Sequence, residues 1–142
     1  MPITQISVPL ENEPGRLHTL CELLEKEEIN IKAIMASSIQ KPVQVHIIVN
    51  DPPKAENVLK SHGFDVSTKE VIAVAVPDHP GALNAVLRPL FEAKVNVETL
   101  YPFISLHGDE AIIILEVDNI QEAKKVLKKH WVKTVSIEIY KK

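Results

Sequence analysis

The groups best placed to hold a small ligand in this sequence sit in two short turns, Asn12-Glu13-Pro14-Gly15-Arg16-Leu17 and Asp78-His79-Pro80-Gly81-Ala82-Leu83. Each follows an alternating apolar segment and precedes a helical pattern. Backbone N–H groups at such a helix start point outward without partners, and the helix dipole adds partial positive charge, so a carboxylate fits there. Gly15 and Gly81 lack a Cβ and let a small molecule approach the backbone, while the side-chain oxygens of Asn12 and Asp78 can accept from an ammonium group. Together these features suit a free amino acid. The same residues also fit a structural role, because Asn and Asp beside a helix-opening proline are common caps and glycine serves turns that need positive φ. Arg16 could reach a ligand carboxylate or an acidic ligand side chain, and His79 could titrate near neutral pH. Both also read as solvated turn residues, the commoner fate of those side chains.

Other chemistry finds little support in the residues. His107, Asp109 and Glu110 cluster at a hairpin without the spacing of a metal motif, and no metal ligands are expected. His46 lies between Val45 and Ile47 on a strand, facing away from the core positions. Lys124, Lys125, Lys128 and Lys129 read as the solvated face of a helix. There is no G-x-S-x-G elbow, phosphate loop or Cys-x-x-Cys pair, and the single Cys21 joins Leu17, Leu20 and Leu24 in an i, i+3, i+4, i+7 apolar stripe. The expectation is therefore a protein with no catalytic residues and no cofactor.

Composition narrows the partners. A net charge of −3 offers no basic field for a phosphate backbone, and aromatic residues at 4% are too few for base-stacking platforms. Nucleic acid is not expected. The longest apolar runs, Val71 to Val76 and Ala111 to Leu115, fall far short of the roughly 20 residues of a membrane helix, so no membrane association is expected either. A lone cysteine and an N-terminus without a secretory pattern point to a reducing, cytoplasmic setting.

The elements that position the turns are themselves repeated. Pro14-Gly15-x-Leu17 returns as Pro80-Gly81-x-Leu83, 66 residues later, and at that offset Asn30-Ile31 returns as Asn96-Val97, Val8 as Val74 and Leu24 as Leu90. Past Asn50 the offset becomes 68, pairing Ala55 with Ala123, Leu59 with Leu127 and His62 with His130. The chain is two copies of one unit, 1–70 and 71–142, each marginal in size alone. In the first copy Ile6, Val8 and Leu10 alternate as a strand, and Pro14 opens a helix presenting Leu17, Leu20, Cys21 and Leu24 to one side. Ile31, Ala33 and Met35 then alternate, as do Val43, Val45, Ile47 and Val49 beyond a turn at Lys41-Pro42. A second helix follows Asp51-Pro52-Pro53, with Gly63 suited to its left-handed cap, and a last strand covers about Asp65 to Val71. The second copy repeats the order, its last strand spanning Val135 to Ile139. The result is βαββαβ twice: an α+β chain of two ferredoxin-like modules, with antiparallel strands in the order 4-1-3-2 and both helices on one face.

In the second copy both strand faces are apolar. Val71, Ala73, Ala75, Ile112 and Ile114 alternate with the helix-facing Ile72, Val74, Val76, Ile113 and Leu115. An open face of that kind would be sticky, so the sequence calls for cover by a second chain in a two-fold homodimer.

The N/D-x-P-G-x-L turn, the Asn-Ile and Asn-Val openings of the second strands and the βαββαβ order, taken together over nearly the whole chain, resemble ACT domains. The resemblance implies a stand-alone tandem ACT protein: a regulatory, allosteric module that binds amino acids where two modules meet and serves an enzyme of amino-acid metabolism. It further implies side-by-side modules whose second strands meet antiparallel in an eight-stranded sheet. Because each second strand starts at the sheet end opposite its own turn, Asn96 and Val97 would complete the site of turn 12–17, and Asn30 and Ile31 that of turn 78–83. Asp78 departs from the family's Asn and adds a negative charge to the second site. The alternative in another class is an oligomerisation or docking module whose turns bind nothing.

Overall fold

In the computed structural model, which describes residues 2–11, 13–37, 42–105 and 108–136, the chain forms seven strands and four helices. Among the described residues, those of 4–69 make one compact unit, and Pro2, Ile3 and those of 70–136 make the other. In the first unit, β1 (Ile3–Leu10) pairs antiparallel with β3 (Val43–Val49), which pairs antiparallel with β2 (Ile31–Ser37). Helices α1 (Arg16–Lys26) and α2 (Pro52–Ser61) both pack on the sheet face carrying Ile6, Val8, Leu10, Val45, Ile47 and Val49, through Leu20 and Leu24 from α1 and Ala55 and Leu59 from α2. Alternation with period two on the strands and a stripe of period 3.6 on the helices are what bring these residues to one interface.

The strand β4 (Ser67–Val76) runs on from one unit into the other. In the second unit its later residues lie between β6 (Ala111–Val117) and β7 (Thr134–Val135), and β5 (Val97–Pro102) pairs on the far side of β6, all antiparallel. The order is thus β7-β4-β6-β5, the expected 4-1-3-2. Helices α3 (Ala82–Glu92) and α4 (Ile120–Lys129) cover one face through Val86, Leu90, Ala123 and Leu127. The rest of the expected last strand, residues 137–139, lies outside the described residues.

Three expectations change. Pro14 and Pro80 do not open the helices, which begin two residues later. Gly15 (φ +88°) and Gly81 (φ +84°) are left-handed, and Arg16 and Ala82 donate their N–H groups to Glu13 and His79 carbonyls at 3.4 and 3.2 Å. Each Pro-Gly pair therefore forms the centre of a type II β-turn, with proline fixing the first central residue and glycine supplying the positive φ of the second.

The second strands also do not alternate simply. The β2–β3 register shifts between Ile31 and Ala33, and the β5–β6 register shifts at the equivalent place, between Val97 and Thr99. One extra residue, Lys32 or Glu98, bulges from each ladder and flips the side chains beyond it. Ile31 and Ile34 consequently face the helix side, as do Val97 and Leu100, and Ala33 leaves the row it was expected to share with Ile31.

Finally, the apolar strand face turned from the helices is not open. Val71, Ala73, Ile112 and Ile114 are each at most 2% exposed within a single chain, as are Ile3, Ala33 and Ile48.

Candidate functional site

The type II turns end in helices of an unusual kind. Both α2 and α4 carry side-chain caps: Asp51 accepts from Lys54 N–H at 3.3 Å and Asn119 from Glu122 N–H at 3.1 Å. Neither α1 nor α3 has one, because the residue at the cap position is glycine. The capping role open to Asp78 in the sequence is therefore not taken, whereas Asn12 lies outside the described residues. Beyond Arg16 and Ala82, whose N–H groups close the turns, the next N–H groups of α1 and α3 are left to solvent or a ligand.

At the first turn the fold adds a cavity of about 240 Å³, lined by Leu10, Glu11, Glu13, Arg16 and Leu17 with Ala36 and Ser37 of β2 and Val43 and Val45 of β3. The strand register explains the meeting, since Leu10 pairs with Val43 and Ser37 with Gln44, placing the end of β2 beside the turn. The cavity is smaller than drug-sized sites of roughly 300–1,000 Å³, a scale suited to a metabolite. It carries both signs of charge, Arg16 against Glu11 and Glu13.

Arg16 is not the solvated turn residue that its type suggests. Its guanidinium lies over the Phe64 ring, 5.8 Å from the centroid, and its Nε is buried without any hydrogen-bond partner, the one such side-chain atom found among the described residues. An N–H donor withdrawn from water and left unpaired costs free energy until something accepts from it. A carboxylate is the natural acceptor for a guanidinium. Leu17, expected in the core stripe, is 40% exposed at this cavity, and Leu83 is 37% exposed at the second turn.

The second turn is built differently. The place of Arg16 is taken by Ala82, which is buried, and that of Phe64 by Val132, so both halves of the cation–aromatic pair are absent together. His79 Nδ1 lies 3.0 Å from the Pro80 carbonyl oxygen, and His79, Asp78 and Gly81 are exposed.

Asn30 and Asn96 occupy matched positions. Asn50 Oδ1 accepts from Asn30 N–H and Asp118 Oδ1 from Asn96 N–H, both at 2.9 Å, which fixes the two backbones. The carboxamides themselves are exposed and make no hydrogen bond among the described residues. Asn30 lines a different cavity, of about 580 Å³, with His18, Cys21 and Ile31. Its own turn lies at the opposite end of the sheet, so the structure brings Arg16, Glu13 and Leu17 together but keeps Asn30 and Ile31 apart from them. Burial pushes the Cys21 thiol pKa up, consistent with a structural residue. Among the described residues no group of side chains could hold a metal ion, and no helix is long and apolar enough to cross a membrane.

Glu11 and Phe64 were not singled out in the sequence. Glu11 had a signal, as the last residue before the turn. Phe64 had none, since it reaches Arg16 only because the end of α2 returns to the start of α1.

Against known proteins, the family model for an ACT domain pair matches residues 1–139. No curated protein matches. Among solved structures, a protein of Bacteroides thetaiotaomicron is 31% identical, with a TM-score of 0.89 over 99% of this chain and 96% of its own. The ligand-free regulatory subunit of aspartate kinase from Thermus thermophilus is 14% identical with a TM-score of 0.63, covering 91% of this chain and 92% of its own. Aspartokinase III of E. coli, in complex with lysine and aspartate, is 16% identical with a TM-score of 0.56 over 91% of this chain and 30% of its own. These last two likenesses carry the fold alone.

Proposed function

Since this chain belongs to the family of ACT domain pairs, we propose that it is a regulatory, non-catalytic protein that binds a free amino acid at the turn of its first module. The observation that carries the reading is Arg16, which has a buried, unpartnered Nε and lines a metabolite-sized cavity together with Glu11 and Glu13. The ligand carboxylate binds Arg16 and the uncapped N–H groups of α1, and its ammonium group is taken by the acidic side of the cavity, with Asn12 as a further acceptor. Glu13, Pro14, Gly15 and Leu17 shape this site. At the second turn, Asp78, His79, Pro80, Gly81, Ala82 and Leu83 form a weaker counterpart.

The modules, 1–70 and 71–142, work as a homodimer in which the β2 edge of one copy meets the β5 edge of another antiparallel. Each of these strands has one partner among the described residues, so its outer edge is free to pair. Asn96 and Val97 then finish the site of turn 12–17, and Asn30 and Ile31 that of turn 78–83. Two exposed carboxamides without hydrogen bonds support this arrangement. Ligand at the seam favours one module orientation and thereby alters the protein's action on a cytoplasmic enzyme of amino-acid metabolism; the size of the effect is set by differential affinity for the two orientations.

Asn96→Ala tests the shared site. Calorimetric titration with the amino acid that most raises the melting temperature should show affinity reduced about tenfold while light scattering still reports the dimer. Unchanged affinity in Asn96→Ala would remove Asn96 from the site.

A further inference from the structure

We propose that the second module carries a separate binding site for a small amphipathic organic anion, a planar apolar body bearing one carboxylate, in the cleft between α4 and the middle of β4. The cleft measures about 780 Å³, within the size range of small-molecule sites of roughly 300–1,000 Å³. Its apolar lining is Ile3, Val71, Ile72, Ala73, Val132 and Val135, and its rim is Lys124, Lys128 and Trp131 with Glu70, whose carboxylate Lys124 neutralises, all within one compact unit.

Three observations single it out. Trp131 is 93% exposed and holds φ +60°, the left-handed conformation that its counterpart Gly63 adopts without steric cost. Its backbone N–H closes the end of α4 on the Lys128 carbonyl, as glycine does at the end of α2, but its indole is in water and makes no hydrogen bond among the described residues, so the large ring adds nothing to that closure. Second, the charges differ from those of the first copy in concert. There Lys60 is neutralised by Glu56 four residues earlier on the same helix, at 2.8 Å. In α4 the matching positions are Lys124 and Lys128; Lys124 turns to Glu70, where the first copy has Thr4, and Lys128 keeps no partner among the described residues. Third, the unpaired ammonium group and the indole flank an apolar floor, the arrangement that binds an acid through its charge and its ring at once. The turn of the first module contributes no residue to this cleft, so the inference does not depend on the function proposed above.

Trp131 is the only tryptophan, so its fluorescence reports on the cleft directly. The full chain is titrated with 3-phenylpropanoate and with its uncharged amide, to about 10 mM, with calorimetry as a second readout. The expected result is a saturable blue shift with the acid, half-complete at roughly 0.1–1 mM, and about tenfold weaker binding of the amide. Lys124→Glu, which restores the intrahelical pairing of the first copy, should weaken the acid about as much, and Arg16→Ala should leave it unchanged. A linear response without saturation, equal binding of acid and amide, or loss of the response in Arg16→Ala would each overturn the proposal.

Discussion

The two Pro-Gly turns share a backbone and differ in what surrounds it. Both are type II turns with left-handed glycines, both precede an uncapped helix and both expose a leucine. Only the first places a guanidinium over an aromatic ring beside acidic residues. At the second, Ala82 and Val132 replace Arg16 and Phe64, and Asp78 brings negative charge where a carboxylate would arrive. Duplication therefore preserved the device that exposes helix N–H groups and let the charged side chains diverge. The second copy diverged elsewhere as well, at the end of α4, where Trp131 stands in place of Gly63. A repeat tells which features the fold requires, and its departures tell where the copies have taken different work.

The comparison can be tested from the core outward. Leu24 and Leu90 are matched and at most 1% exposed. Leu24→Ala and Leu90→Ala should each cost about 3 kcal/mol in urea denaturation, and losses that differ widely would break the equivalence of the two cores. Gly15→Val and Gly81→Val should each cost about 2 kcal/mol, because a β-branched residue does not tolerate φ near +85°. If either is neutral, that turn does not need its glycine. Asp51→Ala and Asn119→Ala should each lose about 1 kcal/mol, as capping oxygens do. Smallest of all, Trp131→Gly should gain about 1 kcal/mol by relieving the left-handed strain. A loss in Trp131→Gly would mean that the indole contributes to folding after all.

Much of this architecture is legible in the sequence because it rests on local periods. The alternation of Ile6, Val8 and Leu10, the Pro-Gly turns and the glycine cap at Gly63 each answer to a rule about neighbouring residues, and the offset repeat shows the first two again in the second copy. The bulges at Lys32 and Glu98 were not legible, since one inserted residue leaves no mark on an apolar period short enough to be read either way. The burial of Ile112 and Ile114 within one chain was also beyond reach, because periodicity says that a face is apolar but not what covers it. At the candidate site the turn residues were found, while Phe64, which withdraws Arg16 from water, lies 48 positions along the chain from it.

The central claim is that Arg16 receives the carboxylate of a free amino acid, and a thermal-shift screen of the free amino acids against wild type and Arg16→Ala tests it most directly. At about 5 mM, at least one should raise the wild-type melting temperature by several degrees, with the rise lost in Arg16→Ala while the ligand-free variant melts within about 2 °C of wild type. An absence of any shift in wild type, or a shift that survives intact in Arg16→Ala, would contradict it.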